Sequence, residues 1–160
     1  MESPYCYFRS SKISNIKVVY EDDNFIIFNK PNGLLTHPTN KSKELTLRDY
    51  LVDEHPSILS WGEENREGIV HRLDRVTSGL IVCALNLESY NLLKGKFKNR
   101  EITKSYVALI EGALPSDSGI LNLPLARSLK NRSKRSVDTN GRNSSTKYEL
   151  LNFYEDLNIS

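Results

Sequence analysis

One stretch gathers most of the groups able to do chemistry: Gly68-Ile69-Val70-His71-Arg72-Leu73-Asp74-Arg75-Val76-Thr77-Ser78-Gly79-Leu80. It sets a carboxylate at the end of an apolar run, between two arginines and ahead of a Thr-Ser-Gly turn. Apolar surroundings raise a carboxylate's pKa, whereas a guanidinium within about 4–6 Å lowers it. An Asp in that setting can stay ionised and serve as nucleophile or base. Spacing alone favours a commoner role, an Asp that organises its turn by accepting backbone N–H bonds while Arg72 and Arg75 stay solvated. The histidines His37, His55 and His71 share no metal-ligand spacing with one another or with Cys6 and Cys83, so no metal is expected. The two cysteines lie far apart and form no C-x-x-C, which points to unpaired thiols in a reducing, cytoplasmic compartment.

Charge adds a second region of interest. From Arg127 to Lys147 the chain carries seven Lys and Arg residues (Arg127, Lys130, Arg132, Lys134, Arg135, Arg142 and Lys147) against one acid, Asp138. The remaining 15 bases face 19 acids, so the rest of the chain is net −4 although the whole is +2. A basic segment on a slightly acidic body is the footprint of polyanion contact, and equally that of a solvated loop.

These residues need elements to position them. Ile16–Tyr20 and Phe25–Asn29 are apolar runs around Glu21-Asp22-Asp23-Asn24, the pattern of a β-hairpin. Pro31-Asn32-Gly33 is a turn signal, and Lys30 reads as closing the hairpin or contacting a ligand. Leu47, Tyr50 and Leu51 follow helical spacing after Thr46, a candidate N-cap, and Pro56 ends that helix. Ile69–Leu73 and Leu80–Leu85 read as strands on either side of Asp74, with Leu73, Leu80, Ile81 and Val82 as core. Thr77, Ser78 and Gly79 build the turn. Asn86 caps a helix running to about Lys98. Ile102–Ile110 is β-rich, Leu121–Leu125 a short strand, 127–147 a basic loop, and Tyr148–Tyr154 the start of another strand. The fold class is α+β, a mixed, mainly antiparallel β-sheet with flanking helices.

With these motifs in place, the chain resembles the RluA-type pseudouridine synthases. His71-Arg72-Leu73-Asp74 followed by Thr77-Ser78-Gly79-Leu80 is similar to the family's signature. In the family's order, Val18–Asp23 leads to Asn29-Lys30-Pro31-Asn32-Gly33-Leu34 and His37-Pro38. Lys104-Ser105-Tyr106 is similar to its K-x-Y motif, and Gly119-Ile120, Pro124–Arg127 and Thr146-Lys147-Tyr148 to the segment after it. The resemblance runs from about Lys17 onward. It departs at the end: nothing matches the family's G-R-T-H-Q-I-R motif, whose arginine pairs with the catalytic aspartate. On this reading residues 1–15 are an N-terminal extension, and 16–160 the N-terminal and central part of a catalytic domain incomplete at its C-terminus.

The resemblance implies isomerisation of uridine to pseudouridine in RNA, ribosomal or transfer, on a flipped-out base and without any cofactor. It implies Asp74 as the catalytic carboxylate and Tyr106 as the residue that stacks on the base or moves a proton. Arg72 would fill the gap left by the base, His71 would orient, and Arg127, Lys130 and Arg132 would hold phosphates. A monomer with no membrane contact is expected. The alternative is an RNA-binding module without turnover. A carboxylate-pair glycosidase would need a second acid that no motif places near Asp74. With 38% hydrophobic and 26% charged residues, the composition is that of a globular protein.

Overall fold

Asp22 turns the chain at the first hairpin. Its carboxylate accepts the backbone N–H groups of Asn24 and Phe25, both at 2.8 Å, and the Tyr20 hydroxyl at 2.7 Å. The strands it joins are β1 (Lys17–Glu21) and β2 (Phe25–Lys30), antiparallel with a register shift between Val18 and Tyr20. β2 pairs in turn with β3 (Gly79–Ala84), so the first sheet runs β1-β2-β3. The computed structural model describes residues 16–39, 42, 44–131 and 134–159. The expected extension 1–15, Cys6 and Arg132 therefore lie outside the described residues.

The chain divides after Lys104 into two compact units. In the first, alternation along the strands sends Ile26 and Phe28 of β2 and Ile81 and Cys83 of β3 inward. They meet Leu47 and Leu51 of helix α1 (Leu47–Glu54) and Ile58 of the 3-10 turn Pro56–Ser60. Leu80, expected in the core, is exposed on the opposite face of β3, because strand period alternates it with Ile81.

Both helices start where side chains can satisfy their free N–H groups. Thr46 caps α1 in a reciprocal box: its side chain takes the Asp49 N–H, and the Asp49 carboxylate takes the Thr46 N–H at 2.9 Å. Asn86 caps α2 (Leu87–Lys98), accepting from the Ser89 N–H at 2.9 Å. The same amide donates to Asp23 O and Asn24 Oδ1, which ties the start of α2 to the hairpin turn.

The expected strand Ile69–Leu73 does not form. Residues 68–71 run beside β3 but make only one bridge, Ile69 with Cys83, after Ala84 N–H has donated to Gly68 O at 2.9 Å. One step further the Val82 N–H donates to the imidazole Nε2 of His71 at 3.1 Å, so a side chain replaces the next carbonyl of the ladder. Gly68 makes the close approach possible. It sits at φ +73, and a Cβ there would lie 2.8 Å from Ala84 O and 2.9 Å from a Leu51 methyl.

The second unit is a sheet in the order β5-β4-β6, built from β4 (Ser118–Arg127), β5 (Arg135–Val137) and β6 (Arg142–Glu149). The expected basic loop 127–147 thus contains one whole strand and most of another. The expected strand at Tyr148–Tyr154 instead begins at Arg142 and ends at Glu149. Ile102–Ile110, expected as β, joins no ladder among the described residues. Its composition has strand propensity, but propensity of this kind is realised only against a neighbouring strand.

Pro124 and Gly141 set the register of this sheet. Pro124 lacks an N–H, yet its carbonyl accepts from Asp138 N–H at 3.0 Å, and the Gly141 N–H takes the Asp138 carbonyl at 2.8 Å in place of the missing donor. A Cβ at Gly141 would lie 2.6 Å from Leu125 C, so only glycine fits.

Gly68→Ala is expected to destabilise the first unit by roughly 2–4 kcal/mol, combining positive-φ strain with overpacking. Urea unfolding followed by Trp61 fluorescence measures it, and a change below about 0.5 kcal/mol would contradict the packing described.

Candidate active site

The Asp74 loop is held by a strap of backbone and side-chain donors from residues 30–36. Lys30, at the end of β2, is fully buried. Its ammonium donates to Leu34 O at 2.8 Å, Pro31 O at 3.0 Å and Arg75 O at 3.4 Å. The Gly33 N–H adds a second donor to Arg75 O at 2.8 Å, and the Asn32 side-chain amide reaches Val76 O at 2.8 Å. On the other flank the buried Thr36 hydroxyl donates to Leu73 O at 2.9 Å and accepts the Leu73 N–H at 3.3 Å. Residues 73, 75 and 76 are therefore each fixed by groups some forty residues earlier, with Asp74 between them.

The strap is itself anchored. Leu47 N–H and Arg48 N–H, at the start of α1, donate to Leu35 O and Thr36 O at 2.9 and 3.0 Å. The Arg48 guanidinium is buried against Glu67, Nε to Oε2 at 2.6 Å, and Glu67 also accepts the Asn65 N–H. Burial works against the Glu67 charge, but the hydrogen bond from Arg48, those from backbone N–H groups and the Arg48 charge together prevail and hold the carboxyl below its usual range. α1, the strap and the segment entering Gly68 are thereby linked.

Asp74 itself is open, its side chain 73% exposed. It accepts a hydrogen bond from Arg72 Nη2 at 2.9 Å, across an ion pair whose arginine is 65% exposed. Such a pair is worth about 0–1 kcal/mol and opens readily. Arg75 points elsewhere, making two contacts to Glu44 at 2.9 and 3.3 Å. The Thr77 N–H closes the turn on Asp74 O at 3.0 Å. Burial draws the Lys30 ammonium below its usual pKa, and the charge of Asp74 works the other way. The arrangement presents a carboxylate to solvent on a backbone hydrogen-bonded at the residues on both sides of it.

His71 lies on the inner side of the loop. Its ring stacks on Phe97, centroids 4.5 Å apart at 21°, and Nε2 accepts the Val82 N–H, which places the ring proton on Nδ1. Burial, with a smaller contribution from the charge of Lys104, lowers its pKa to about 4. Tyr106, Arg127 and Lys130 belong to the second unit. Tyr106 is 62% exposed in the irregular segment before β4, Arg127 ends β4 and Lys130 lies in the turn beyond it. Among the described residues no group of three or more His, Cys, Asp or Glu could hold a metal ion. No helix among them is long and apolar enough to cross a membrane.

Thr36 is the member of this site that sequence reasoning did not single out, while Asn32 and Gly33 were read as a turn and as part of the motif Asn29–Leu34. What they grip lies too far along the chain for local pattern to reveal.

The sequence has clear relatives. A profile of the family described as RNA pseudouridylate synthase matches residues 24–160. The ribosomal large subunit pseudouridine synthase D of Borreliella burgdorferi is 38% identical over 144 residues, covering 88% of this chain and 44% of the relative. The protein of that name from Nitrosomonas europaea is 36% identical over 136 residues, 85% of this chain and 38% of the relative. Among solved structures, human RNA pseudouridylate synthase domain containing 4 superposes with a TM-score of 0.63 at 23% identity. It covers 84% of this chain and 53% of that one, a likeness of fold. The chain spans less than half the length of these curated relatives.

Two outcomes are expected from this geometry. In an NMR titration His71 stays neutral, protonated on Nδ1, and titrates near pH 4. The unfolded chain takes up that proton from about pH 6.5, so this contribution to stability is complete above 6.5 and is lost as pH falls toward 4. A midpoint near 6.5 would contradict the buried, accepting ring. Thr36→Val, which keeps the shape and removes the hydroxyl, is expected to cost about 1–3 kcal/mol in urea unfolding by stranding the Leu73 N–H and C=O.

Proposed function

The chain belongs to the RNA pseudouridylate synthase family, and on that premise we propose that it isomerises uridine to pseudouridine in RNA, with ribosomal RNA as substrate and Asp74 as the catalytic carboxylate. The observation that carries this reading is the exposed Asp74 carboxylate on a loop fastened at Leu73, Arg75 and Val76.

A uridine in a helix cannot offer C1′ and C5 together, so the base is flipped out at a cost of a few kcal/mol in unstacking. Asp74 then acts on the sugar, attacking it or deprotonating it, and the N1–C1′ bond breaks. The freed base rotates and rejoins C1′ through C5, as the Asp74–C1′ bond breaks in the attack route or the abstracted proton returns to the sugar in the other; C5 then loses its proton and N1 gains one. Composition is unchanged, and the reaction calls for no external cofactor. A carboxylate that must meet one sugar atom gains from a rigid backbone, since misplacement of about 1 Å can cost 10²-fold.

Arg72 fits the role of occupying the stack vacated by the base. It is planar and exposed, and among the described residues it is held by a weak pair with Asp74 that binding can break. His71, neutral and stacked on Phe97, acts as a positioning residue: it holds the stretch leading to Asp74 against β3. Tyr106 supplies an exposed aromatic face and a phenolic O–H for stacking on the base or moving a proton. Arg127, Lys130 and Arg132 supply charge for RNA phosphates. The names of the relatives, ribosomal large subunit pseudouridine synthase D, favour ribosomal over transfer RNA. We place the enzyme in the cytoplasm as a monomer.

The test is pseudouridine formation on ribosomal RNA from a strain without its own synthases. It is run with the 160-residue chain and with any longer product of the same gene. Asp74→Asn and Asp74→Ala are expected to lower turnover at least about a thousandfold with RNA binding retained. Conversion that persists in folded Asp74→Ala protein would overturn the assignment. RNA binding without Asp74-dependent conversion in every form would leave a binding module instead.

A further inference from the structure

β4 and β5 put two arginines directly opposite each other, Arg127 with Arg135. The ladder makes this a close pair. Ser128 N–H donates to Lys134 O and Asp138 N–H to Pro124 O, so the hydrogen-bonded positions are 128 with 134 and 124 with 138. Alternation leaves 127 with 135, and 125 with 137, as non-hydrogen-bonded pairs, whose side chains lie closest. Arg142 of β6 pairs with Leu125, two residues before Arg127 on the central strand, and so shares the face of Arg127 on its other side. Lys147, five residues beyond Arg142 and paired with Ile120, projects from the opposite face.

All three arginines are exposed, and among the described residues none has a carboxylate within ion-pair distance. Like charges directly opposed across strands destabilise a sheet. Here Arg127 and Arg135 are one such pair, and Arg142 on the third strand lies diagonal to Arg127 on the same face. The repulsion is relieved when an anion lies between the guanidinium groups, and planar arginines suit the two free oxygens of a phosphodiester.

We propose that Arg127, Arg135 and Arg142 form a phosphate-binding face of the second sheet that grips the RNA backbone, with the Lys147 face taking no part. This rests on the reading that the protein acts on RNA, and sharpens it from a basic segment to one side of one sheet.

The experiment measures binding of a labelled, uridine-containing RNA hairpin across a range of salt concentrations. It compares the unsubstituted chain with Arg127→Glu, Arg135→Glu, Arg142→Glu and Lys147→Glu, and with Arg135→Ser. Circular dichroism confirms that each is folded. Each Arg→Glu change is expected to weaken binding about tenfold or more. It should also cut the slope of log K against log salt by about one, while Lys147→Glu shifts binding less than about twofold. Arg135→Ser is expected to bind RNA more weakly and yet raise Tm at low salt, with the gain shrinking at high salt as repulsion is screened. Equal losses in all four Glu variants would overturn the assignment to one face. So would RNA binding that all three Arg→Glu changes leave intact, although the RNA reading would then survive. If the unsubstituted chain binds no RNA at any salt, that reading falls and takes the proposal with it.

Discussion

An ammonium group shut away from water must be surrounded by oxygen acceptors or lose its charge, because an unpaired buried cation costs many kcal/mol. Lys30 meets that demand with the carbonyls of Pro31, Leu34 and Arg75. Two of those belong to its own turn; the third is 45 residues away, beside Asp74. The requirement to solvate one charge therefore closes the chain on itself and brings the turn after β2 under the loop before β3. Gly33 and Asn32 follow with their own donors, Thr36 holds the other flank, and α1 is docked on the strap through Leu35 and Thr36. Removing the lysine would take away one of the four groups that hold the loop and leave the carbonyls of Pro31 and Leu34 without that donor.

The strap also accounts for how an exposed group can be well placed. Asp74 has little packing of its own, and its ion pair with Arg72 is too solvated to position either partner. Precision comes from the backbone on both sides, and the side chain stays exposed. His71 contributes in the same spirit, its imidazole standing in for a ladder carbonyl and its ring packed on Phe97. Sheet, strap and imidazole together fix where the loop enters, turns and leaves.

The second unit is organised differently. No described side chain in it is buried, so its register owes little to a core. It is set by backbone accounting: a proline without an N–H, a carbonyl that takes a substitute donor, and a glycine with no room for a Cβ. That accounting decides which face Arg127, Arg135 and Arg142 occupy, a matter on which charge counting is silent. The family match spans residues 24–160 and so runs through both units.

Much of the local structure could be read directly. Thr46 and Asn86 cap the helices they were expected to cap, the first hairpin turns at Asp22, and the ordered motifs around Asp74 point to the family the chain belongs to. These signals lie within a few residues of the groups they act on, so residue type and spacing contain them. The errors fell where strand propensity had to find a partner. Ile69–Leu73 lost its ladder to an imidazole, Ile102–Ile110 joined none among the described residues, and a supposed loop at 127–147 paired into a sheet. By itself, then, the sequence determined the caps, the turns, the candidate carboxylate and the family. Only the tertiary structure decided that Lys30 is buried, that Thr36 grips Leu73, and that three arginines share a face. Those outcomes depend on donors and acceptors far apart in the chain, and only folding brings them within hydrogen-bonding distance.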